Sequence, residues 1–356
     1  TLGAFVRGGS VRELLVWAVC GAGKTEVAFD AIAASLDAGA RVLYAVPRRD
    51  VVLELFPRFK KAFPGVGISV LYGGCRYGRF DDAQLTLATT HQVIRFYKNF
   101  DIVVLDEVDA FPYRGSRMLY DAVERARVPG GKIIYLTATP RPEYLKGVRE
   151  GRITLVTIPA RHHGFPLPVP RIVKTQSLRD REGRFRMPAS VRDFLHKSIE
   201  GDKAQVFVFV PAVALVKKVA DVLQEEVRLP PFNNWHGDWV KGSHARDPDR
   251  DVKREAFSRG DFPVFVTTSI MERGITVPNA NVLVLFAEYE RIYDTGTLVQ
   301  MAGRSGRTTD YPEGRVLFVG TRITPAMGGA VDQIVYMNKE ALAKGYLGAG
   351  RGEASK

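Results

Sequence analysis

The sequence predicts an α/β chain of two successive lobes, each a mostly parallel sheet flanked by helices. Three observations carry that prediction. Short apolar runs of strand length alternate with helical stretches along most of the chain, and one proline-rich stretch interrupts the alternation. A length of 356 residues is also enough for two cores of ordinary size.

In the first half, strands are expected at Leu14 to Val19, Val42 to Val46, Ile68 to Tyr72, Leu85 to Ala88, Ile102 to Leu105 and Ile133 to Leu136. Helices read between them, such as Thr25 to Leu36 and Val51 to Ala62. Pro159, Pro166, Pro168 and Pro170 then oppose a helix or central strand, because proline lacks the N–H that either ladder uses. The alternation resumes with a strand at Val206 to Val210 and helices from Ala212 to Val227 and Asp249 to Phe257. Strands at Val264 to Thr267 and Val282 to Phe286 and a helix near Leu298 follow. The expected division is residues 1–158 for the first domain, 159–170 for a linker, 171–343 for the second domain and 344–356 for a fraying tail.

Hydrophobic residues make up 46% and charged residues 25%, and no apolar run approaches the roughly 20 residues of a membrane helix. The 51 Lys and Arg exceed the 39 Asp and Glu, leaving +12. A surplus of that size favours a polyanionic partner, nucleic acid first, because neutralising phosphates releases their counterions. Cys20 and Cys75 are too few and too separated for a zinc site or a disulfide framework, which points to a reducing compartment. No basic, apolar leader is read at the start and the chain begins at Thr1, so a trimmed N-terminus and a cytoplasmic location are expected.

Strand Leu14 to Val19 runs into Cys20, Gly21, Ala22, Gly23, Lys24 and Thr25 and then into a helix, the context of a phosphate-binding P-loop. Backbone N–H groups there must wrap a β-phosphate closely, a lysine must reach the β- and γ-phosphates, and a hydroxyl must bind Mg²⁺. Gly23, Lys24 and Thr25 supply these parts, so ATP and Mg²⁺ are the expected ligands. Downstream, the apolar strand Ile102 to Leu105 ends in Asp106, Glu107, Val108 and Asp109. Carboxylates at a strand's C-terminal end lie where open α/β sheets bind ligands. Asp106 suits the metal's water shell, and Glu107 suits orientation or deprotonation of the attacking water.

Thr137, Ala138, Thr139 and Pro140 also follow a strand directly. Their hydroxyls suit a link between the nucleotide pocket and a strand groove, although such a turn is ordinarily just a turn. In the second lobe, Gln300 to Arg307 reads Gln-Met-Ala-Gly-Arg-Ser-Gly-Arg. Arg304 and Arg307 are three apart and are expected on one helical turn, as arginine fingers for the charge that builds on a transferring γ-phosphate.

This ordered set resembles the superfamily 2 helicases of DEAD/DEAH type, which have two tandem RecA-like domains, and spans Ala18 to Arg307. Ala18 replaces the first glycine of the general P-loop pattern, a departure that superfamily tolerates. Trp17 to Glu26, Asp106 to Pro112, Arg161 to Pro170 and Glu272, Arg273 and Gly274 are most similar to the late-competence DNA translocase family, ComFA. That family usually has an N-terminal four-cysteine zinc site, and none is present here. The resemblance implies nucleotide contacts from Cys20 to Glu26 and at Gly274, catalytic roles for Lys24, Asp106, Glu107, Gln300, Arg304 and Arg307, and coupling by Asp109, Thr137 and Thr139. It also implies single-stranded DNA across the sheet tips at Pro47, Arg48, Thr89, Thr90, His91, Thr267, Thr268 and Ser269. RNA is the lesser expectation.

Arg161, His162 and His163 precede the proline run, where either a DNA contact or a hinge or lobe-contact role fits; the latter is the expectation. The expected mechanism places ATP between the lobes, with hydrolysis driving alternate grip on DNA during uptake. A replication-restart or RNA helicase is the alternative, and an ATP-gated clamp that does not move is a third reading. A monomer suffices for the ATP site and a homo-oligomer is allowed. By analogy, competence-machinery proteins are partners and hold the chain peripherally at the inner face of the membrane.

Overall fold

The computed structural model describes residues 2–8, 11–75, 83–109, 113, 116–180, 182–226, 238–268 and 277–348. The chain forms two compact units, Thr1–Pro159 and Ala160–Lys356.

The first unit runs α1 (Leu2–Arg7), β1 (Glu13–Ala18), α2 (Lys24–Asp37), β2 (Val42–Val46), α3 (Arg49–Ala62), β3 (Ile68–Leu71) and β4 (Leu85–Thr89). After a 3₁₀ turn at Thr90–Arg95 come β5 (Phe100–Asp106), α4 (Arg117–Ala126), β6 (Arg127–Thr137), α5 (Pro142–Arg149) and β7 (Ile153–Ile158). The strands pair in the order β3-β4-β2-β5-β6-β1-β7, all parallel. Strands β2 and β4 are buried along their whole length, as expected where helices cover both faces of a parallel sheet. Alternate residues feed opposite cores: Leu14, Val16 and Tyr44 pack on one face, Leu15, Leu43 and Ala45 on the other.

The second unit repeats the design. It runs β8 (Arg171–Lys174), α6 (Ala189–His196), a π turn at Lys197–Gly201, β9 (Gln205–Val210), α7 (Val213–Glu226), β10 (Val240–Ser243) and α8 (Arg250–Arg259). It continues with β11 (Val264–Thr268), β12 (Ala280–Leu285), α9 (Thr295–Ala302), β13 (Val316–Gly320) and α10 (Pro325–Ala343). The sheet order is β10-β11-β9-β12-β13-β8, again parallel. Val206, Val208 and Val210 face one core, Phe207 and Phe209 the other.

The α/β class and the parallel sheets are therefore as the alternation predicts. Strands β7, β8, β10 and β13 lie outside those expected from the sequence. The first three are sheet edges, and β8 and β10 have only four residues each, so their apolar signal is weak. Strand β6 extends well upstream of Ile133 through Gly130 and Gly131, residues that signal a turn when read locally. The proline-rich stretch has no regular structure, yet it is held to its unit. Leu167 N–H donates to Asn338 Oδ1 at 2.8 Å, and Asn338 Nδ2 donates to the Leu167 carbonyl at 2.9 Å.

The second unit's aromatic core is centred on Phe257, which is fully buried with ring centroids 4.8 Å from Phe207 and 5.2 Å from both Phe262 and Phe265. Phe257→Ala is expected to lower stability by about 3–5 kcal/mol, the cost of a large core cavity. A urea midpoint shift followed by fluorescence measures it, and a loss under about 1 kcal/mol would mean that the core collapses around the gap.

Candidate active site

Each described motif residue of the first unit follows, or ends, one of the parallel strands β4, β2, β5, β6 and β1. Because the strands are parallel, their C-terminal ends lie on one edge of the sheet. Ligands bind there in folds of this kind.

After β1, Gly21 and Gly23 take φ values of 83° and 74°, which a Cβ resists. Ala22 N–H donates to the Val19 carbonyl at 3.1 Å, closing the loop. Helix α2 begins at Lys24, with Gly23 before it and no side chain capping its first N–H groups. Such a left-handed nest ahead of a helix N-terminus fits a phosphate. Cys20 and Thr25 are buried, while Glu26 is exposed and pairs with Arg58.

At the end of β5, Asp106 is 6% exposed. Tyr44 Oη donates to its Oδ2 at 2.8 Å, and Glu107 N–H donates to its Oδ1 at 2.8 Å. Burial, followed by the negative charge of Glu107, pushes the Asp106 carboxyl up to about 6, against the nearby positive charge of Lys24. Burial and then the Asp106 charge hold the Tyr44 phenol well above its usual range, so it remains a donor. The Thr25 hydroxyl hydrogen-bonds the same phenol. Thr25 and Asp106 are thus hard oxygen donors gathered around Tyr44, and a carboxylate short of positive charge is where a divalent cation is stabilising. These residues fit Mg²⁺.

Glu107 has φ 52°, a left-handed conformation costing a non-glycine residue about 1–3 kcal/mol. The turn sends its backbone N–H back to Asp106. Two residues on, Asp109 accepts from Thr137 Oγ1 at 2.6 Å and Thr139 Oγ1 at 3.0 Å, and Thr139 N–H donates to Thr137 Oγ1 at 2.9 Å. The loops after β5 and β6 are therefore tied together by one carboxylate.

Among the other expected contacts, Pro47 is buried and Arg48 is half-buried with Asp50 at 3.5 Å. Thr89 is buried and His91 exposed. Thr90 is fully enclosed, and its hydroxyl donates to the Val46 carbonyl at 3.0 Å, joining the tips of β4 and β2. In the second unit, Thr267 is fully buried and Thr268 nearly so. Ser269, Glu272, Arg273 and Gly274 lie outside the described residues.

Gln300 lies in the last turns of α9. Arg304 and Arg307 do not share a helical turn as their spacing suggests: α9 ends at Ala302, and both occupy the loop beyond it. Gly303 caps the helix and Gly306 takes φ 64°, which turns the chain away from the helix axis. Both arginines are half-buried, and Arg307 Nε donates to the Gly303 carbonyl at 2.9 Å.

Two residues of the site escape a motif reading. Tyr44 is one, although a phenol inside the aliphatic run Val42 to Val46 must find a polar partner when buried. Trp17 is the other: it opens the stretch that carries the family resemblance but is given no role there, and its Nε1 donates to the Ala138 carbonyl at 3.1 Å, holding the Thr-Ala-Thr turn against β1.

Comparison with known proteins agrees with this geometry. The DEAD/DEAH box helicase profile matches residues 4–147, and the helicase conserved C-terminal domain profile matches residues 189–309. Competence protein ComFA of Bacillus subtilis strain 168 is 41% identical over 331 residues, covering 93% of this chain and 68% of that protein. The ComFA of Streptococcus pneumoniae R6 is 35% identical, covering 93% and 73%. Among solved structures, S. cerevisiae Dbp5 bound to RNA and ADP BeF3 superposes with a TM-score of 0.60 at 14% identity, covering 95% of this chain and 88% of that one.

The raised Asp106 value has a consequence for stability. Between the ordinary carboxylate value and about 6 the folded chain holds a proton that the unfolded chain has lost, so this group's contribution falls as pH rises through that window. Asp106→Asn is therefore expected to stabilise the metal-free and nucleotide-free protein by about 1–3 kcal/mol at about pH 7.5, falling to about a third of that near about pH 4.5 and toward zero only below about pH 3.5. Denaturation midpoints across pH measure this, and a variant less stable than wild type at about pH 7.5 would contradict it.

Proposed function

The chain belongs to the ComFA family of superfamily 2 helicases, and from that premise we propose that it is an ATP-driven translocase on single-stranded DNA, acting in the uptake of transforming DNA. The observation that carries this reading is the phosphate nest after β1 set beside the Asp106 and Glu107 carboxylates at the end of β5, with Lys24 close enough to oppose the rise in Asp106's proton affinity.

In this reading the Gly21 to Gly23 backbone and Lys24 bind the β- and γ-phosphates, with Cys20, Ala22, Glu26 and Gly274 completing the nucleotide contacts. Thr25 and Asp106 would hold Mg²⁺, which would offset phosphate charge. Tyr44 keeps Asp106 oriented by donating to one oxygen, leaving the other beside the Glu107 N–H. The Glu107 carboxylate orients the attacking water and accepts its proton. Gln300, Arg304 and Arg307 are the second-unit residues proposed to act in hydrolysis, the two arginines as cations suited to the charge that develops on a transferring γ-phosphate.

Asp109, through Thr137 and Thr139, ties the carboxylate loop to the adjacent strand tip, a route by which loss of phosphate alters grip on nucleic acid. The DNA contacts proposed are Pro47, Arg48, Thr89 and His91 at the sheet tips of one unit and Thr268 at a sheet tip of the other, with Ser269, outside the described residues, added by the family resemblance. Thr90 and Thr267, both enclosed, support those tips from within. The excess of 51 basic over 39 acidic residues supports a polyanionic track. No helix among the described residues is long and apolar enough to cross a membrane, and a cytoplasmic chain reaching the membrane's inner face through competence partners fits this reading.

The test is steady-state ATP hydrolysis without nucleic acid and with single-stranded DNA, duplex DNA or single-stranded RNA, using Lys24→Ala as the blank. Stimulation of about tenfold or more by single-stranded DNA is expected, with less from the other two. Stimulation chiefly by RNA or duplex would replace this reading with that of a helicase on the favoured substrate.

A further inference from the structure

Arg161 lies two residues past the end of the first unit and is 3% exposed, within the second. Its guanidinium donates to the carbonyls of Ser305 at 2.8 Å and Gly303 at 3.1 Å, and closely to that of Gly306. His163 accepts from Phe165 N–H on Nδ1 at 3.1 Å, so the neutral ring carries its proton on Nε2, which donates to the Gly306 carbonyl at 3.2 Å. Burial, then the Arg161 charge, lowers the proton affinity of His163 and keeps the ring neutral.

These carbonyls belong to the end of α9 and the loop after it. A helix C-terminus leaves carbonyls unpaired and carries partial negative charge, which a buried guanidinium answers on both counts. Gly306 fits between the same groups because it has no Cβ, which would lie 2.4 Å from the Pro312 carbonyl, 2.9 Å from Pro168 Cγ and 3.3 Å from Arg161 Nη1. Arg307 Nε returns to the Gly303 carbonyl that Arg161 Nη2 also holds. The loop bearing Arg304 and Arg307 is thus fixed by residues of the proline-rich segment.

We propose that Arg161, assisted by His163, is a positioning residue for ATP hydrolysis that presets the backbone from which Arg304 and Arg307 project. The proposal rests on the reading of those two arginines as the cations that meet the γ-phosphate. It makes the segment after Pro159 part of the catalytic apparatus rather than a spacer. Arg161 does not touch substrate; its effect is on where two other guanidiniums stand, and misplacement of about 1 Å is enough to cost about a hundredfold in rate.

The experiment compares single-stranded-DNA-stimulated ATP hydrolysis and fluorescent ATP-analogue binding in the full chain for Arg304→Ala, Arg307→Ala, Arg161→Ala, His163→Ala and His163→Gln. Arg161→Ala is expected to lower kcat by about 10- to 100-fold while KM for ATP and analogue affinity change less than about threefold. Millimolar guanidinium should restore part of that kcat, where the same concentration of sodium chloride does not. His163→Gln, whose amide N–H replaces the Nε2 donor, should retain several times the kcat of His163→Ala. Normal turnover in Arg304→Ala and Arg307→Ala would remove the reading beneath the proposal and the proposal with it. Loss of turnover in those two, with a folded Arg161→Ala at wild-type kcat, would overturn the proposal alone. If Arg161→Ala does not fold, the His163 pair decides, and equal, wild-type kcat in both overturns it.

Discussion

The first unit is organised around one buried charge. Asp106 stands at the tip of β5, in the middle of a seven-stranded parallel sheet, where its carboxylate is almost wholly removed from water. A buried carboxylate is costly unless its oxygens are hydrogen-bonded and a positive charge is near. Tyr44 supplies one hydrogen bond from the neighbouring strand, the Glu107 N–H supplies another at the expense of a left-handed turn, and Lys24 supplies charge from the start of α2. Those partners do not satisfy the group fully, as its raised proton affinity records. A divalent cation would meet the remaining demand for positive charge.

The second unit solves the opposite problem. Its central strand β12 also leaves the sheet through a left-handed non-glycine residue, Phe286 with φ 56°, matching Glu107 after β5. Phe286 is apolar and buried, so the shared backbone bend carries no carboxylate there. The unit's polar investment is at the end of α9 instead, where backbone carbonyls rather than N–H groups are left over and Arg161 collects three of them. One sheet design thus presents a helix start and carboxylates in one unit, and a helix end with arginines in the other. The common backbone says little about chemistry, which comes from the residues at its tips.

Much of this was legible in the sequence, for identifiable reasons. Parallel strands buried on both faces read as apolar runs, which is why β2, β4, β9 and β11 stand out, whereas the short edges β8 and β10 carry too few apolar residues to do so. The phosphate loop and the Asp106 to Asp109 run are legible because their chemistry depends on neighbours in sequence. What was hidden depends on neighbours in space: Tyr44 on Asp106 across 62 positions, Trp17 on Ala138 across 121, and Arg161 on Ser305 across 144. The arginine spacing was misleading for a related reason. Three residues apart suggests a helical turn, but Gly303 and Gly306 end the helix and bend the chain first.

In the proposed function, hydrolysis at the Asp106 and Glu107 site moves the chain along single-stranded DNA. Displacement of streptavidin from the biotinylated end of a single strand tests it most directly, in wild type and in Glu107→Gln, which removes the carboxylate proposed to orient the attacking water. Displacement by the wild type with ATP, its absence with a non-hydrolysable analogue and its loss in Glu107→Gln is the predicted result. A wild-type protein that hydrolyses ATP on single-stranded DNA yet leaves streptavidin in place at both ends would contradict the claim and identify an ATP-gated clamp.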